Sequence, residues 1–417
     1  MKKINFKRLL TIFTALSLVL PACLNTTALA QDNEQVTITF SLWDVFDQTL
    51  IDAFEEANPG IKVELVTTPD SDYSQKVNTS LIGGTAADVI LAFEADIQRF
   101  AENGLVEKLD DYVANTESFD MDDFVPAVQE LSEDMNGIYG LPWTLAFEIM
   151  YYNKDMFDTA GLDYPTNDWT YEDFNEAAIA LTIRDGDNVT QWGADALTFR
   201  GLWWSLIGAF GDDIYTDGQI DLGDGLAKAI EYQDKLTNID KVSPQPSSGG
   251  EMADLFASGR VAMSRNGSWM IANYKDNEFN WDIAPLPTGD RDYNALHTGF
   301  YTINANSEHK EEAWKFIEFM MSHEGQTMYS EIYNNVSALE SVAAEGAYQS
   351  EGVNGPTNWE TFDVAAETGR FGYVLINAGI TNDLVSQFEA VILGEADLAD
   401  VLENSVQRAQ EQLDKLR

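Results

Sequence analysis

The sequence holds three histidines, His297, His309 and His323, and one cysteine, Cys23. Those counts set narrow limits on chemistry. His323-Glu324-Gly325-Gln326-Thr327 places Thr where a zinc-protease helix needs its second His. No Gly-x-Ser-x-Gly elbow and no Gly-Lys-Ser/Thr phosphate loop occurs, and Gly223-Asp224-Gly225 lacks the third glycine of a dinucleotide loop. Asp213, Asp217-Gly218 and Asp221 resemble calcium ligands, but they depart from the alternating acidic pattern and no Glu closes the run, so a hairpin turn is the expectation. Paired carboxylates for glycoside cleavage are the one enzymatic option left open, because 70 acidic residues supply pairs whose separation the sequence does not reveal.

The elements that must position any site read as alternating strands and helices. Gln35 to Trp43 alternates apolar and polar residues as a strand does. Asp44 is placed to cap the helix carrying Phe46, Leu50, Ile51 and Phe54. Asn58-Pro59-Gly60 ends that helix, and Ile61 to Val66 is a second strand. Tyr73 to Ile82 is a helix, and Ala87 to Phe93 a third, buried strand. Strand, helix, strand implies a parallel sheet with crossover helices. After Gly140 and Pro142, the run from Leu145 to Tyr152 reads as a strand buried on both faces, broken only by Glu148.

A chain of 417 residues exceeds one compact core, and 45% hydrophobic with 12% aromatic residues is a folded composition. The formal net charge of −46 repels phosphate backbones, which argues against nucleic acid as a partner. Lys2, Lys3, Lys7 and Arg8 precede an apolar stretch from Leu9 to Leu20, the pattern of an export signal. Ala28-Leu29-Ala30 before Gln31 fits ordinary cleavage and is preferred. Leu20-Pro21-Ala22-Cys23 resembles a lipoprotein box, with Cys23 then the anchor. Beyond Gln31 no cysteine remains for disulfide or thiol chemistry. No later segment approaches the roughly 20 apolar residues of a membrane span.

Several blocks, in order along the chain, resemble the sugar-binding proteins of bacterial ATP-driven (ABC) importers. They begin with Phe54 and Asn58-Pro59-Gly60-Ile61-Lys62-Val63, then Tyr73-Ser74-Gln75-Lys76 and Gly84 to Val89. Gly137-Ile138-Tyr139-Gly140-Leu141-Pro142 leading to Tyr151-Tyr152-Asn153-Lys154 is similar to that family's crossing strand. Trp169 to Phe174, Gly259-Arg260-Val261-Ala262-Met263 with Gly267 and Trp269, Ala284-Pro285-Leu286-Pro287, and Ser307 to Phe319 continue the match.

The resemblance implies an α/β protein of the two-lobed periplasmic-binding-protein fold, with a ligand cleft between lobes and hinge crossings near 142–147 and 290–298. The expected organisation is a signal peptide over 1–30, an N-terminal lobe of 31–144 with 295–342, and a C-terminal lobe of 145–294 with 343–417. Sugar rings pack on aromatic faces while their hydroxyls demand donors and acceptors. Position in the family's plan nominates Trp43, Asp44, Phe93, Glu94, Trp143 and Thr144 from the first lobe and its crossing. It also nominates Arg200, Trp203, Asn266 and Trp269 from the second lobe, His297, Gly299 and Phe300 from the return crossing, and Tyr373 from a late loop. Glu148 is left without a role. The expectation is a monomeric, exported, periplasmic protein that binds a carbohydrate, uses no metal or cofactor, and docks on ABC permease subunits. A polyol or other compatible solute is the alternative ligand, and a secreted glycoside-active enzyme ranks last.

Overall fold

The computed structural model describes residues 35–43, 46–117, 119–197, 199–211, 213–216, 218–246, 254–349 and 354–416. The export signal with Cys23, the candidate Asp44, and Asp217 of the acidic turn lie outside the described residues.

The principal elements are β1 (Val36–Leu42), α1 (Gln48–Ala57), β2 (Ile61–Thr67), α2 (Asp70–Gly83), β3 (Val89–Phe93), α3 (Glu94–Glu102), β4 (Leu141–Pro142) and β5 (Glu148–Asn153). They continue with β6 (Ile183–Asp185), β7 (Asn188–Ala194), α4 (Leu202–Phe210), β8 (Val261–Gly267), β9 (Trp281–Pro285), β10 (Gly299–Ile303), α5 (Ala378–Ile392) and α6 (Leu398–Leu416). α1 buries Leu50, Ile51 and Phe54 as the spacing predicts, whereas Phe46, expected on the same helix, is buried ahead of it. Its cap is Asp47, whose carboxylate accepts from the Thr49 amide at 2.8 Å. The cap expected from the sequence is Asp44; the residue that caps the helix is Asp47.

Two sheets organise the molecule. The first has the order β2-β1-β3-β10-β4, with β1 parallel to both β2 and β3 and β10 antiparallel to β3 and β4. The second has the order β9-β5-β8-β7-β6, with β5 antiparallel to β8 and β9 and β8 parallel to β7. Each sheet thus belongs to its own α/β lobe. The chain leaves the first sheet at β4 and re-enters it at β10.

The stretch expected as one strand from Leu145 to Tyr152 is divided. β4 ends at Pro142, β5 begins at Glu148, and residues 143–147 carry the chain between sheets. Every residue from Thr144 to Asn153 is buried, so burial runs unbroken through a change of partners. The two crossings pair with each other there. The amides of Ala146 and His297 each donate to the other's carbonyl at 2.9 Å, and the Trp143 amide donates to the Gly299 carbonyl at 2.9 Å. A third pass joins them at Val336, whose carbonyl accepts from the Leu145 amide at 2.9 Å and the Thr144 hydroxyl at 2.6 Å. The Thr298 hydroxyl closes the set by donating to the Thr144 carbonyl at 2.6 Å.

The second lobe is anchored by a buried ion pair. Asp195, just past β7, accepts from the Arg265 amide at 3.0 Å and the Ser264 hydroxyl at 3.2 Å, and its other oxygen faces the Arg265 guanidinium. That guanidinium also lies over the Phe174 ring and donates to Gln233 at 3.3 Å. Burial pushes the Asp195 carboxyl up to about 6, although Arg265 pulls it down.

Candidate functional site

Parallel strands present their C-terminal ends on one side of a sheet, and β1 and β3 end side by side. Trp43 and Phe93 therefore meet, stacked with ring centroids 4.0 Å apart. Trp143, the first residue of the crossing, meets the Trp43 edge at 5.3 Å. All three are half-buried. The Trp43 indole lies across Gly299, where an added Cβ would come within 2.4 Å of the ring, so the absent side chain is what lets the indole lie flat on the crossing.

The second lobe supplies the facing rings. β8 ends at Gly267, and the 3₁₀ turn Ser268–Met270 swings Trp269 back over that glycine, 2.1 Å from a hypothetical Cβ. Ser268 pins this turn to the crossing: its amide donates to the Phe147 carbonyl at 2.8 Å, and its hydroxyl accepts from the Phe147 amide at 3.2 Å. Phe199 meets Trp269 edge-on at 4.9 Å, and both rings meet the His297 imidazole, at 5.0 and 5.8 Å. Rings from one lobe thus rest on Gly299 and rings from the other on His297, two residues apart in the return crossing. Trp269 and Phe199 are half-buried.

Beneath these rings lies a polar floor. His297 Nε2 is 2.7 Å from Glu148 Oε1, and its Nδ1 faces the Tyr373 hydroxyl at 2.5 Å and Glu94 Oε1 at 3.2 Å. The Tyr373 hydroxyl donates to Glu94 Oε1 at 2.8 Å. Burial draws the His297 pKa down, but hydrogen bonds to Glu148 and Glu94, and their charge, outweigh it and raise the imidazole from 6.5 to about 9. At neutral pH His297 is an imidazolium between two carboxylates. Burial also drives the Tyr373 phenol well above its ordinary value, so it remains a donor.

The structure therefore brings Trp43, Phe93, Glu94, Trp143, Trp269, His297, Gly299 and Tyr373 to one place. Asn266 is beside them, half-buried, its side-chain oxygen accepting from the Gly267 amide at 2.8 Å. Other nominated residues are engaged elsewhere. Arg200 pairs with Glu389 at 3.2 Å and Ser386 at 2.8 Å on α5. Trp203 is buried against Phe388, Phe300 is buried against Phe371, and Thr144 holds the Val336 carbonyl. Periodicity could not separate Trp203 from Trp204, yet Trp204 is the one stacked on Tyr373, with planes 1° apart. Glu148 was legible only as a lone charge in an apolar run. The acidic turn forms a hairpin from Tyr215–Thr216 and Gln219–Ile220, and Asp213 pairs with Arg291 at 2.7 Å. Among the described residues, no group of three or more His, Cys, Asp or Glu could hold a metal, and no helix is long and apolar enough to cross a membrane.

Two α/β lobes tied by paired crossings, with aromatic rings from each lobe converging on a buried polar floor, define a two-lobed solute-binding protein. The chain belongs to the bacterial extracellular solute-binding protein family, which it matches over residues 44–327. It is 24% identical to the maltodextrin-binding protein MdxE of Bacillus subtilis over 340 residues, 78% of either chain. It is 26% identical to the erythritol/L-threitol-binding protein of Mycolicibacterium smegmatis over 317 residues, 66% of this chain and 64% of that one. In fold it is similar to the ABC substrate-binding protein Lmo0181 of Listeria monocytogenes, solved in complex with cycloalternan. The TM-score is 0.81 at 23% identity, covering 91% of this chain and 99% of that one.

Proposed function

We propose that this protein captures an uncharged carbohydrate between its lobes, closes over it, and delivers it as a monomer to the permease of an ABC importer. The observation that carries this reading is the pair of aromatic platforms, Trp43–Phe93 and Trp269–Phe199, set over a floor of carboxylate, imidazolium and phenol. Such platforms offer large apolar faces to sugar C–H groups, and the Glu94 carboxylate is an acceptor for hydroxyls that would otherwise go unpaired. The relatives named for maltodextrin and for erythritol support polyhydroxylated ligands, and the second of them favours a polyol as the alternative. Anionic sugars fit poorly. The guanidinium groups of Arg200 and Arg265 are committed to Glu389 and Asp195, and His297 already lies between two carboxylates.

The lobes on this reading are 31–144 with 295–342 and 145–294 with 343–417. The chain is exported by the signal over 1–30 and released to the periplasm after cleavage before Gln31, lipid attachment at Cys23 being the alternative. The protein binds its solute and transfers it without breaking a bond. Native mass spectrometry of the purified protein, followed by calorimetry against neutral mono- and oligosaccharides, polyols and uronates, tests the assignment. Binding of at least one neutral sugar or polyol is expected. Silence across that panel, together with cleavage of a glycoside, would sink it.

A further inference from the structure

Glu148 is wholly buried, 0% exposed, and its Oε2 finds no hydrogen-bond partner among the described residues. A buried carboxylate is costly unless opposite charge lies against it, and His297 supplies that charge through Nε2. The imidazolium has a second N–H to give. Its Nδ1 faces both the Tyr373 oxygen and Glu94 Oε1, and the Tyr373 hydroxyl in turn donates to Glu94. One connected network results: Glu148 accepts from His297 Nε2, Glu94 accepts from Tyr373, and the second imidazole nitrogen faces both the Tyr373 and the Glu94 oxygens.

Its members come from separate parts of the fold. Glu148 opens β5 of the second sheet, whereas Glu94 follows β3 of the first sheet and opens α3. His297 lies in the return crossing. Tyr373 sits in the turn Gly372–Leu375, stacked on Trp204 of α4. His297 and Tyr373 are each 5% exposed, beneath the half-buried rings.

We propose that Glu148, acting through His297, is a positioning residue that latches the lobes: it holds the imidazolium that orders the Tyr373 hydroxyl onto Glu94, and this network forms on closure and breaks on opening. The latch rests on the two-lobed binding reading above, but it does not depend on which solute fills the cleft. The titratable groups facing His297 are Glu94 from α3, Glu148 from β5 and Tyr373 from its turn. The other groups packed on the ring, Phe199, Gly201 and Trp269, carry no charge.

The test uses the chain from Gln31 onward, which lacks cysteine, with spin labels introduced at Ile82→Cys on α2 and Ile183→Cys on β6, one exposed site per lobe. Label-to-label distances are read without ligand at about pH 7 and about pH 10, across the range in which this imidazole loses its proton. In the parent, the longer-distance population is expected to grow as the pH rises. Tyr373→Phe, which keeps the ring, and Glu148→Gln are each expected to raise that population about tenfold at neutral pH, the scale of one charge-assisted hydrogen bond. The same variants should bind maltotriose, the probe sugar, about tenfold more weakly if the parent binds it. Parent-like distances in both folded variants, unmoved by pH, would overturn the latch. A parent that opens and closes in this way yet binds no sugar or polyol would count against the proposed function alone.

Discussion

At the scale of single residues, the site depends on what is missing as much as on what is present. Trp43 and Trp269 can lie flat because Gly299 and Gly267 have no Cβ to lift them. Conformational freedom is not the reason, since neither glycine has a positive φ. A rigid, half-buried indole costs little entropy to order and contributes large contact area. Trp269→Ala should therefore weaken binding of whichever neutral sugar the parent prefers by about tenfold or more, with the unfolding midpoint nearly unchanged. Calorimetry beside a thermal melt checks this. Equal affinity in the variant would place the stacking face elsewhere and favour a small aliphatic polyol. Among the aromatic candidates, Trp203 carried the same residue type as Trp269 and a similar setting in sequence, yet it faces Phe388 in the core.

At the scale of elements, β7 and β8 bring Asp195 and Arg265 together inside the second lobe, both buried. Removing the cation would leave the carboxylate facing only neutral donors. Arg265→Ala is expected to destabilise the protein by about 3–5 kcal/mol, read as a lower urea midpoint. A loss below about 1 kcal/mol would mean that Asp195 is satisfied by protonation instead. The elements themselves were largely legible in the sequence, because alternation and helical spacing are local signals that survive any tertiary arrangement. Helix α1 is an instance: Leu50, Ile51 and Phe54 are buried as their spacing implies, while its start falls past Phe46 and its cap is Asp47 instead of Asp44. The crossing at 143–147 was harder to delimit, because burial continues through it and only hydrogen-bond partners mark the change of sheet.

At the scale of the whole molecule, the pH dependence follows from His297. Its pKa is raised from 6.5 to about 9, so the stabilisation is fully present below about pH 6.5 and is lost as pH rises through about 9. A shift of that size is worth up to about 3 kcal/mol. Denaturant midpoints at about pH 6.5 and about pH 9.5 should therefore differ in the parent by more than in His297→Gln. Equal pH slopes would remove His297 as the titrating group. The formal charge of −46 adds no such directional term: it favours solubility and repels polyanions without selecting a fold.

What the sequence by itself determined is the alternation of strands and helices, the absence of enzyme motifs, and an ordered set of blocks that place the chain in its family. Those are properties of neighbouring residues and of their order. Tertiary structure alone decided that Glu148 meets His297 across 149 positions, that Tyr373 meets Glu94 across 279, and that Arg200 turns to α5 instead. The reason is physical: side-chain type states what a residue can bond to, whereas the pairing of distant strands decides which partner arrives.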